Sequence, residues 1–285
     1  MLQGTSVIEL GERSIRKFFE HRMTTYAAAL AYRGLFGLFP FVLLVVVLLG
    51  LLQADSFFQR MLEQDRPAPP QAIISGELSS MVELARKQAS GGLLSFGVVV
   101  SFYSVYTLAR TLVEALNVAY EVEETRPAWK RLLLLVASGP ALAVTTIAAV
   151  GAMLIGSRLA ERIAGLVGLG EVAMVLWSWL RLPFALLLLA AVLSVVYRYG
   201  PDTGQRFRSV VPGAALAVIA WAIASVSFSF YLATFADYGT TFGSLGAAIG
   251  LLFYLYLSAA VCLFGAEVNA VVYRYSPEGE KEEPK

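Results

Sequence analysis

The sequence contains a single cysteine, Cys262, and a single histidine, His21. A disulfide needs two cysteines and the usual zinc sites need several Cys and His ligands, so neither is expected within this chain. A Cys–His nucleophile pair or a Ser–His–Asp triad is not expected either. A two-carboxylate metal site stays open, although no pattern supports one. The sequence also has no Walker loop, so we expect no ATP-driven motor. Because no nucleophile–base pair or metal ligand set is recognisable, we expect no enzyme activity and no cofactor.

Charged residues are also scarce, at 15% of the 285 residues, whereas hydrophobic residues make up 58%. An average soluble domain is about 25% charged and about 45–50% apolar. The mean hydropathy of +0.68 reflects the same excess. The net charge is +1 and no basic patch alternates with aromatic residues, so a nucleic-acid partner is not expected. The composition is typical of an all-α polytopic membrane protein.

Six apolar blocks are long enough to cross a bilayer as helices, which takes about 20 residues each. They lie near 25–53, 91–118, 131–156, 174–198, 210–233 and 245–273. An outer loop, 54–90, follows the first span, and the charged tail 274–285 is predicted to be disordered. The first block is longer than the roughly 7–15-residue apolar core of a cleavable signal peptide, so none is expected.

A polar N-terminal segment, 1–24, precedes the first span and contains an amphipathic stretch over 6–22. On a helix, Ile15, Phe18 and Phe19 gather on one side and charged residues on the other. Such a helix is expected to lie along the membrane surface. Lys and Arg are concentrated in this segment and in the connections after the second, fourth and sixth spans. The positive-inside rule therefore predicts that both termini are cytoplasmic.

Arg33 stands close to the start of the first span, where hydrocarbon should begin. No charged residue follows it as far as Leu52, and the helix from Leu35 to Leu52 alone nearly crosses the apolar core. Arg33 can therefore reach the inner headgroups with its long side chain. Alternatively it belongs to a small and polar helical face with Gly37 and Pro40 that contacts protein or water.

The second span carries a polar stripe along one helical face, and the sixth span adds polar residues at a similar depth. Arg110 and Glu114 are spaced i,i+4, as in an ion pair within one helix. The candidate site residues are Tyr103, Tyr106, Arg110, Glu114, Asn117, Arg33, Glu267 and Asn269.

These polar residues support two interpretations. Ionisable side chains that face lipid cost at least about 2.5–3.5 kcal/mol in the middle of a membrane, so they normally face a bundle interior or a wet cavity. The first interpretation is a polar vestibule, open to the cytoplasm, that admits a headgroup or an ion. The second is a charge-balanced clasp that holds the first, second and sixth spans together.

Other positions are expected to serve helix packing. Gly246 and Gly250 form a G-x-x-x-G pattern, and together with Gly243 they permit a close approach of helices. Pro40 removes a helix hydrogen bond and favours a kink. Glu267 points almost opposite to Asn269 on the sixth span, so it must contact a different neighbour or lie close enough to the interface to reach water.

Four stretches resemble the YihY/virulence factor BrkB family of bacterial inner-membrane proteins. They are "AAALAYRGLFGLFP" (27–40), "ALNVAYEVEETRPAWKRLLLLV" (115–136), "YRYGPD" (197–202) with "PGA" (212–214), and "YGTTFGSLGAAIGLLFYLYLSAAVCLFGAEVNA" (238–270). The resemblance implies six membrane helices with both termini inside. It places these residues on family motif positions: Glu114 to Asn117, Arg126, Pro127, Trp129, Gly243, Ser244, Gly246, Glu267 and Asn269. The family more often has an uncharged residue at position 33, which favours the headgroup interpretation of Arg33.

The resemblance also implies a role in the cell envelope. Roles suggested for the family include lipid transport and resistance to serum, and the ribonuclease label of some members finds no support in this sequence. We expect a transporter or flippase-like protein that moves a lipid or another amphipathic anion, with Arg110 on the headgroup and Glu114 as its resting counter-ion. The alternative is a non-transporting scaffold for envelope assembly. Expected partners are membrane lipids, envelope-assembly proteins and further copies of the chain.

Overall fold

The computed structural model describes residues 7–51, 91–127, 170–234 and 238–275, and within these ranges the regular secondary structure is entirely α-helical. The helices are α1 (Val7–Glu20), α2 (Met23–Leu51), α3 (Gly91–Tyr120), α4 (Gly170–Tyr199), α5 (Phe207–Thr234) and α6 (Tyr238–Arg274). The predicted third span, 131–156, the outer loop 54–90 and the tail from residue 276 lie outside the described residues.

Three of the described helices are long and apolar enough to cross a membrane. The qualifying segments are Leu182–Tyr199 in α4, Phe207–Leu232 in α5 and Ala248–Arg274 in α6. Each coincides with a predicted span. Helices α2 and α3 also occupy predicted spans, and α2 runs through Pro40 without interruption. The all-helical membrane character is therefore confirmed, whereas the count of six spans stays a prediction.

Two charged residues that follow helices α1 and α3 adopt the left-handed backbone conformation. Arg22 and Glu121 both have φ of 53°. After α3, the Glu121 N–H donates to the Val118 carbonyl and the Val122 N–H to the Asn117 carbonyl, which is the hydrogen-bond pattern of a Schellman cap. Glycine usually occupies this position, and a residue with a Cβ adopts it at a cost of about 1–2 kcal/mol. The cap turns the chain so that Glu121 leaves the helix axis.

The chain divides into two compact units. The first comprises Met1–Ala31 with Ala109–Lys285, and the second comprises Tyr32–Leu108. Within the first unit, α6 packs against α5 and α1, and α4 packs against α5. Its fully buried side chains include those of Met23, Leu116, Tyr197, Val210 and Leu263.

Helices α5 and α6 approach each other closely at two glycines. A Cβ added to Gly265 would lie 2.6 Å from the Ala217 Cβ and 2.7 Å from the Gly213 carbonyl oxygen, which is too close for any side chain. At Gly250 the added Cβ would meet Leu232 at 3.8 Å, an ordinary contact. The tight approach therefore lies at Gly213 and Gly265, which the sequence reasoning missed. The predicted packing roles of Gly243 and Gly246 stay predictions.

Helix α1 packs on α6 through part of its apolar side. The Phe18 ring contacts the Phe264 ring edge-on at 5.9 Å between centroids, and Leu10 and Ser14 are buried. Ile15 and Phe19, which were predicted to share the apolar side with Phe18, are 52% and 64% exposed. The apolar side of α1 is thus divided between a protein contact and an exposed edge.

Candidate functional site

A polar cluster lies where α1, the end of α3 and the end of α6 meet. We call His21, Glu121, Glu267, Lys17 and Arg274 the elbow cluster. His21 follows α1 in the turn before α2, and its Nδ1 lies 2.8 Å from Oε1 of Glu267. Its Nε2 lies 3.1 Å from Oε1 of Glu121. The side chain of Glu267 is 1% exposed, so the contact with His21 is made inside the protein.

Glu121 is the centre of the charged part of this cluster. Arg274 lies 2.6 Å from Oε2 of Glu121, and Lys17 lies 2.9 Å from Oε1. Partial burial alone would raise the pKa of the Glu121 carboxyl, but the hydrogen bonds from Arg274 and Lys17 outweigh it and lower the pKa to about 2. The same hydrogen bond to Glu121 raises the pKa of Lys17. Glu121 is therefore ionised at neutral pH.

A small pocket of about 70 Å³ lies beside the elbow cluster. Its charged lining residues are Arg13, Arg16, Lys17, Glu121, Glu267 and Arg274. Arg13 is held by Glu9 at 2.6 Å and stacks over the Tyr275 ring, 4.9 Å from its centroid. The pocket has room for a few water molecules.

A second group of polar contacts ties the end of α3 to the connection between α4 and α5. The Asn117 side chain accepts a hydrogen bond from the Asp202 N–H at 3.0 Å and donates to Glu124 at 2.8 Å. Arg126 pairs with Asp202 at 2.8 Å and donates to the carbonyls of Tyr199 and Pro201. Thr125 donates twice to Asp202, from its N–H and its hydroxyl.

Asp202 is consequently held as an anion by its neighbours. Burial would raise the pKa of its carboxyl, but the hydrogen bonds from Thr125 and the ion pair with Arg126 lower it. A carboxylate with this many partners fixes the loop after α4 on the segment after α3. Asn117 and Arg126 both bond Asp202 and so help to hold this loop in place.

Asn269 forms a third polar contact, between α6 and the start of α5. Its Oδ1 accepts from the Gly213 N–H at 2.7 Å, and its Nδ2 donates to the Val210 carbonyl at 2.7 Å. Gly213 follows Pro212, which has no N–H to donate. The fully buried amide of Asn269 thus satisfies backbone groups next to a proline.

The candidate residues of α3 lie in a different environment. Arg110 and Glu114 form the predicted i,i+4 ion pair at 2.8 Å, and their side chains are 53% and 39% exposed. Further along the same helix, in the second unit, Tyr103 and Tyr106 are 68% and 39% exposed. This polar part of α3 is accessible, whereas Asn117, Glu267 and Asn269 are buried.

Arg33 uses a partner in the second unit. Its guanidinium donates to the Thr107 carbonyl of α3 at 3.0 Å. This contact with protein agrees with the interpretation in which Arg33 lies on a polar helical face. Arg110 and Glu114 pair with each other, whereas Arg33 bonds Thr107 and Glu267 bonds His21. Glu267 and Asn269 contact different neighbours, since Glu267 bonds His21 and Asn269 bonds the start of α5.

Sequence reasoning missed His21, Lys17, Glu121 and Arg274. A signal for one of them was present, because Glu121 follows Glu114 by seven residues and continues the polar stripe of α3. His21 is the chain's only histidine and stands directly before the first span. His21 bonds Glu267 and Glu121 through its two ring nitrogens. Among the described residues, no group of His, Cys, Asp and Glu side chains could hold a metal ion.

Comparison of the sequence with known proteins identifies the family to which the chain belongs. The model of the family described as "Virulence factor BrkB" matches residues 14–285. The Bacillus subtilis (strain 168) protein YfkH, which is named ribonuclease-like, is 31% identical over 255 residues, which cover 89% of this chain and 91% of YfkH. A UPF0761 membrane protein of Xanthomonas campestris pv. campestris (strain B100) is 29% identical over 276 residues.

The chain spans 62% of the length of that Xanthomonas relative, and the match covers 94% of the chain. A UPF0761 membrane protein of Stenotrophomonas maltophilia (strain K279a) is 27% identical over 285 residues, again with 62% of the relative covered. No solved structure matches the chain significantly. The family match over nearly the whole chain, together with these relatives, agrees with the helical membrane architecture, and the chain belongs to the virulence factor BrkB family.

Proposed function

We propose that the protein is a transporter or flippase-like protein of the bacterial inner membrane that moves a lipid or another amphipathic anion. The observation that carries this proposal is the accessible ion pair of Arg110 and Glu114 on α3. Arginine binds phosphate oxygens through two parallel N–H groups, so Arg110 suits a phosphate-bearing headgroup. Glu114 neutralises Arg110 when no substrate is bound.

Helix α3 is largely apolar and carries one pair of opposite charges. Apart from Arg110 and Glu114, helix α3 carries no charged residue from Gly91 to Tyr120. Charged side chains within a membrane helix are costly and usually line a route for ions or polar substrates. The two partners lie on successive turns of one helix, and we propose that an incoming anion replaces Glu114 at Arg110.

Two tyrosines extend the proposed route along α3. Tyr103 and Tyr106 combine an apolar ring with a hydroxyl, which suits a position between hydrocarbon and polar groups. Both are accessible. We propose that they contact the part of the substrate next to its headgroup.

The buried polar residues are assigned a different role in this proposal. Asn117 and Asn269 each bond backbone groups of a neighbouring segment, and Glu267 bonds His21. We propose that these contacts fix the frame on which α3 presents Arg110. The protein then needs no enzyme chemistry, and it works through a gradient, through a partner or by passive equilibration. Cytoplasmic termini are part of the proposal.

The test is lipid movement across the bilayer of liposomes that contain the purified protein. Fluorescent phosphatidylglycerol in the inner leaflet is protected from dithionite unless the protein moves it outwards. We expect Arg110→Ala to lower the protein-dependent rate by about tenfold or more, the loss of one charge-assisted contact. Arg208→Ala, which removes an exposed cation at the start of α5, is the matched control and should keep the rate. An Arg110→Ala protein as active as the parent contradicts the assignment.

A scaffold for envelope assembly is the second candidate. It is favoured by the three sets of buried polar contacts, which join helix ends firmly. In a scaffold, the ion pair of Arg110 and Glu114 serves the structure of the protein. The exchange Arg110→Glu with Glu114→Arg keeps the pair but moves the cation by one helical turn.

The double exchange separates the two candidates. If pairing alone matters, the exchanged protein folds and complements a deletion strain like the parent. If Arg110 binds substrate at its own position, the exchanged protein keeps its thermal stability but loses lipid movement. Thermal unfolding in detergent, measured beside the liposome assay, distinguishes loss of function from loss of the fold.

A further inference from the structure

Both ring nitrogens of His21 face carboxylate oxygens. Nδ1 lies 2.8 Å from Glu267 and Nε2 lies 3.1 Å from Glu121. An ionised carboxylate only accepts hydrogen bonds, and a neutral imidazole has one N–H to donate. Two hydrogen bonds of this kind therefore require one proton more than a neutral histidine and two carboxylates carry.

That additional proton does not belong to Glu121. Arg274 and Lys17 both bond Glu121 and keep its carboxyl ionised. The proton is therefore held between His21 and Glu267. Within the described part of the chain, Oε2 of Glu267 is buried without a hydrogen-bond partner. An ionised Glu267 without a bound proton nearby would be a costly buried charge. The site therefore has to keep its proton while α1 lies on α6.

We infer that His21 and Glu267 form a proton-binding site, in which one proton shared between Nδ1 and the Glu267 carboxyl holds α1 on α6. This site binds a proton rather than a lipid and is separate from the proposed transport. The charged and titratable groups that surround the pair come from α1, α3, α6 and the turn after α3. They are Lys17, Tyr120, Glu121 and Arg274, with Arg13 and Arg16 further along the pocket.

The pocket provides the exit for the proton. Glu267 lines it together with Glu121, so water in the pocket can accept the proton directly. Once the proton is lost, a neutral imidazole has a single N–H for two carboxylates, and Glu267 keeps an uncompensated charge. The α1–α6 contact then weakens. Because the docked state binds more protons than the undocked state, rising pH favours undocking.

The test uses the fact that His21 is the only histidine of the chain. The full chain, purified with a histidine-free tag, is labelled with 15N-histidine in lipid nanodiscs and titrated from pH 5 to pH 10. The 15N shifts distinguish a doubly protonated ring from a singly protonated one. We expect one transition within this range. A ring that shows no transition overturns the proposal.

Docking of α1 is measured in the same preparation through a buried position. Ser14, 1% exposed on α1, is replaced by Cys in a Cys262→Ala background, and its rate of reaction with a maleimide is followed relative to that of a free thiol at the same pH, because thiolate formation alone raises the rate as pH rises. We expect the rate to rise by about tenfold or more over the pH range of the ring transition, as α1 opens locally. A rate that is unchanged across that transition overturns the link to docking.

Two variants identify the partner of the histidine. Glu267→Gln removes the carboxylate beside Nδ1, which favours the protonated ring, and should move the ring transition to lower pH. Glu9→Gln makes the same change on α1 beside Arg13 and should leave the transition in place. If Glu267→Gln folds and its ring transition does not move, the shared proton site is overturned. If this variant does not fold, the histidine titration and the maleimide reaction without this substitution decide.

Discussion

At the scale of single residues, Glu121 shows how an unusual backbone conformation creates a functional arrangement. A left-handed residue after a helix is normally glycine, yet here it is a glutamate bonded to His21, Lys17 and Arg274. The backbone cost of about 1–2 kcal/mol is offset by these charge-assisted contacts. Asn117, which accepts at the same helix end, was predicted from the polar stripe, but its partner Asp202 lies 85 residues away.

The Glu121 contacts predict how stability depends on acid. The pKa of Glu121 is lowered to about 2, so its contribution is complete above the ordinary pKa of a glutamate and is lost as pH falls towards 2. We expect the unfolding temperature of the parent to drop steadily between about pH 5 and pH 3. Glu121→Gln should be less stable at pH 7 and show a shallower decline.

The control for this prediction is Glu20→Gln, since Glu20 is an exposed acid on α1 that pairs with Arg16 and Lys17 at 3.6 Å and 3.4 Å. Surface pairs of this kind contribute little, so the control should keep the acid dependence of the parent. The readout is thermal unfolding in detergent from pH 7 to pH 3. If the unfolding temperature fell equally in Glu121→Gln and in the parent, the contacts of Glu121 would not explain the acid dependence of stability.

At the scale of helices, the sequence predicted where elements lie better than how they touch. The first predicted span, 25–53, corresponds to α2, and the second, 91–118, to α3. Long apolar blocks are read directly from hydropathy, whereas α6 begins at Tyr238, seven residues before its predicted span, because polar first turns carry no apolar signal. The close approach at Gly213 and Gly265 was missed because it depends on which faces meet.

Helix packing gives a prediction with an internal control. In Gly265→Ala the new methyl group would lie 2.6 Å from Ala217, so α5 and α6 must separate. Overpacking of this kind costs about 1–3 kcal/mol, more than the roughly 1 kcal/mol that alanine gains over glycine in a helix. Gly250→Ala on the same helix meets only an ordinary contact at 3.8 Å and should be neutral or stabilising.

The measurement for this pair is the unfolding temperature of the two variants in the same detergent. Gly265→Ala should unfold at a lower temperature than the parent, and Gly250→Ala at the same or a higher one. A Gly265→Ala protein that is as stable as the parent would mean that α5 and α6 are not in tight contact at this point.

At the scale of the whole molecule, the sequence predicted a helical membrane protein of this family, and both statements are confirmed. The elbow cluster was beyond a single sequence, because its contacts join residues as far apart as His21 and Glu267. Hydropathy and periodicity describe one helix at a time. They detected Arg110 and Glu114, which pair within α3, and missed His21, the partner of Glu267, which lies in the turn after α1.

We propose above that Arg110 binds an anionic headgroup during transport. The most direct measurement compares the rates at which the purified protein moves fluorescent phosphatidylglycerol and phosphatidylcholine across liposome bilayers. We expect the parent to move the anionic lipid several times faster, and Arg110→Ala to move both lipids at the same slow rate. Equal rates for the two lipids in the parent, or a preference for the anionic lipid that survives in Arg110→Ala, would contradict the claim.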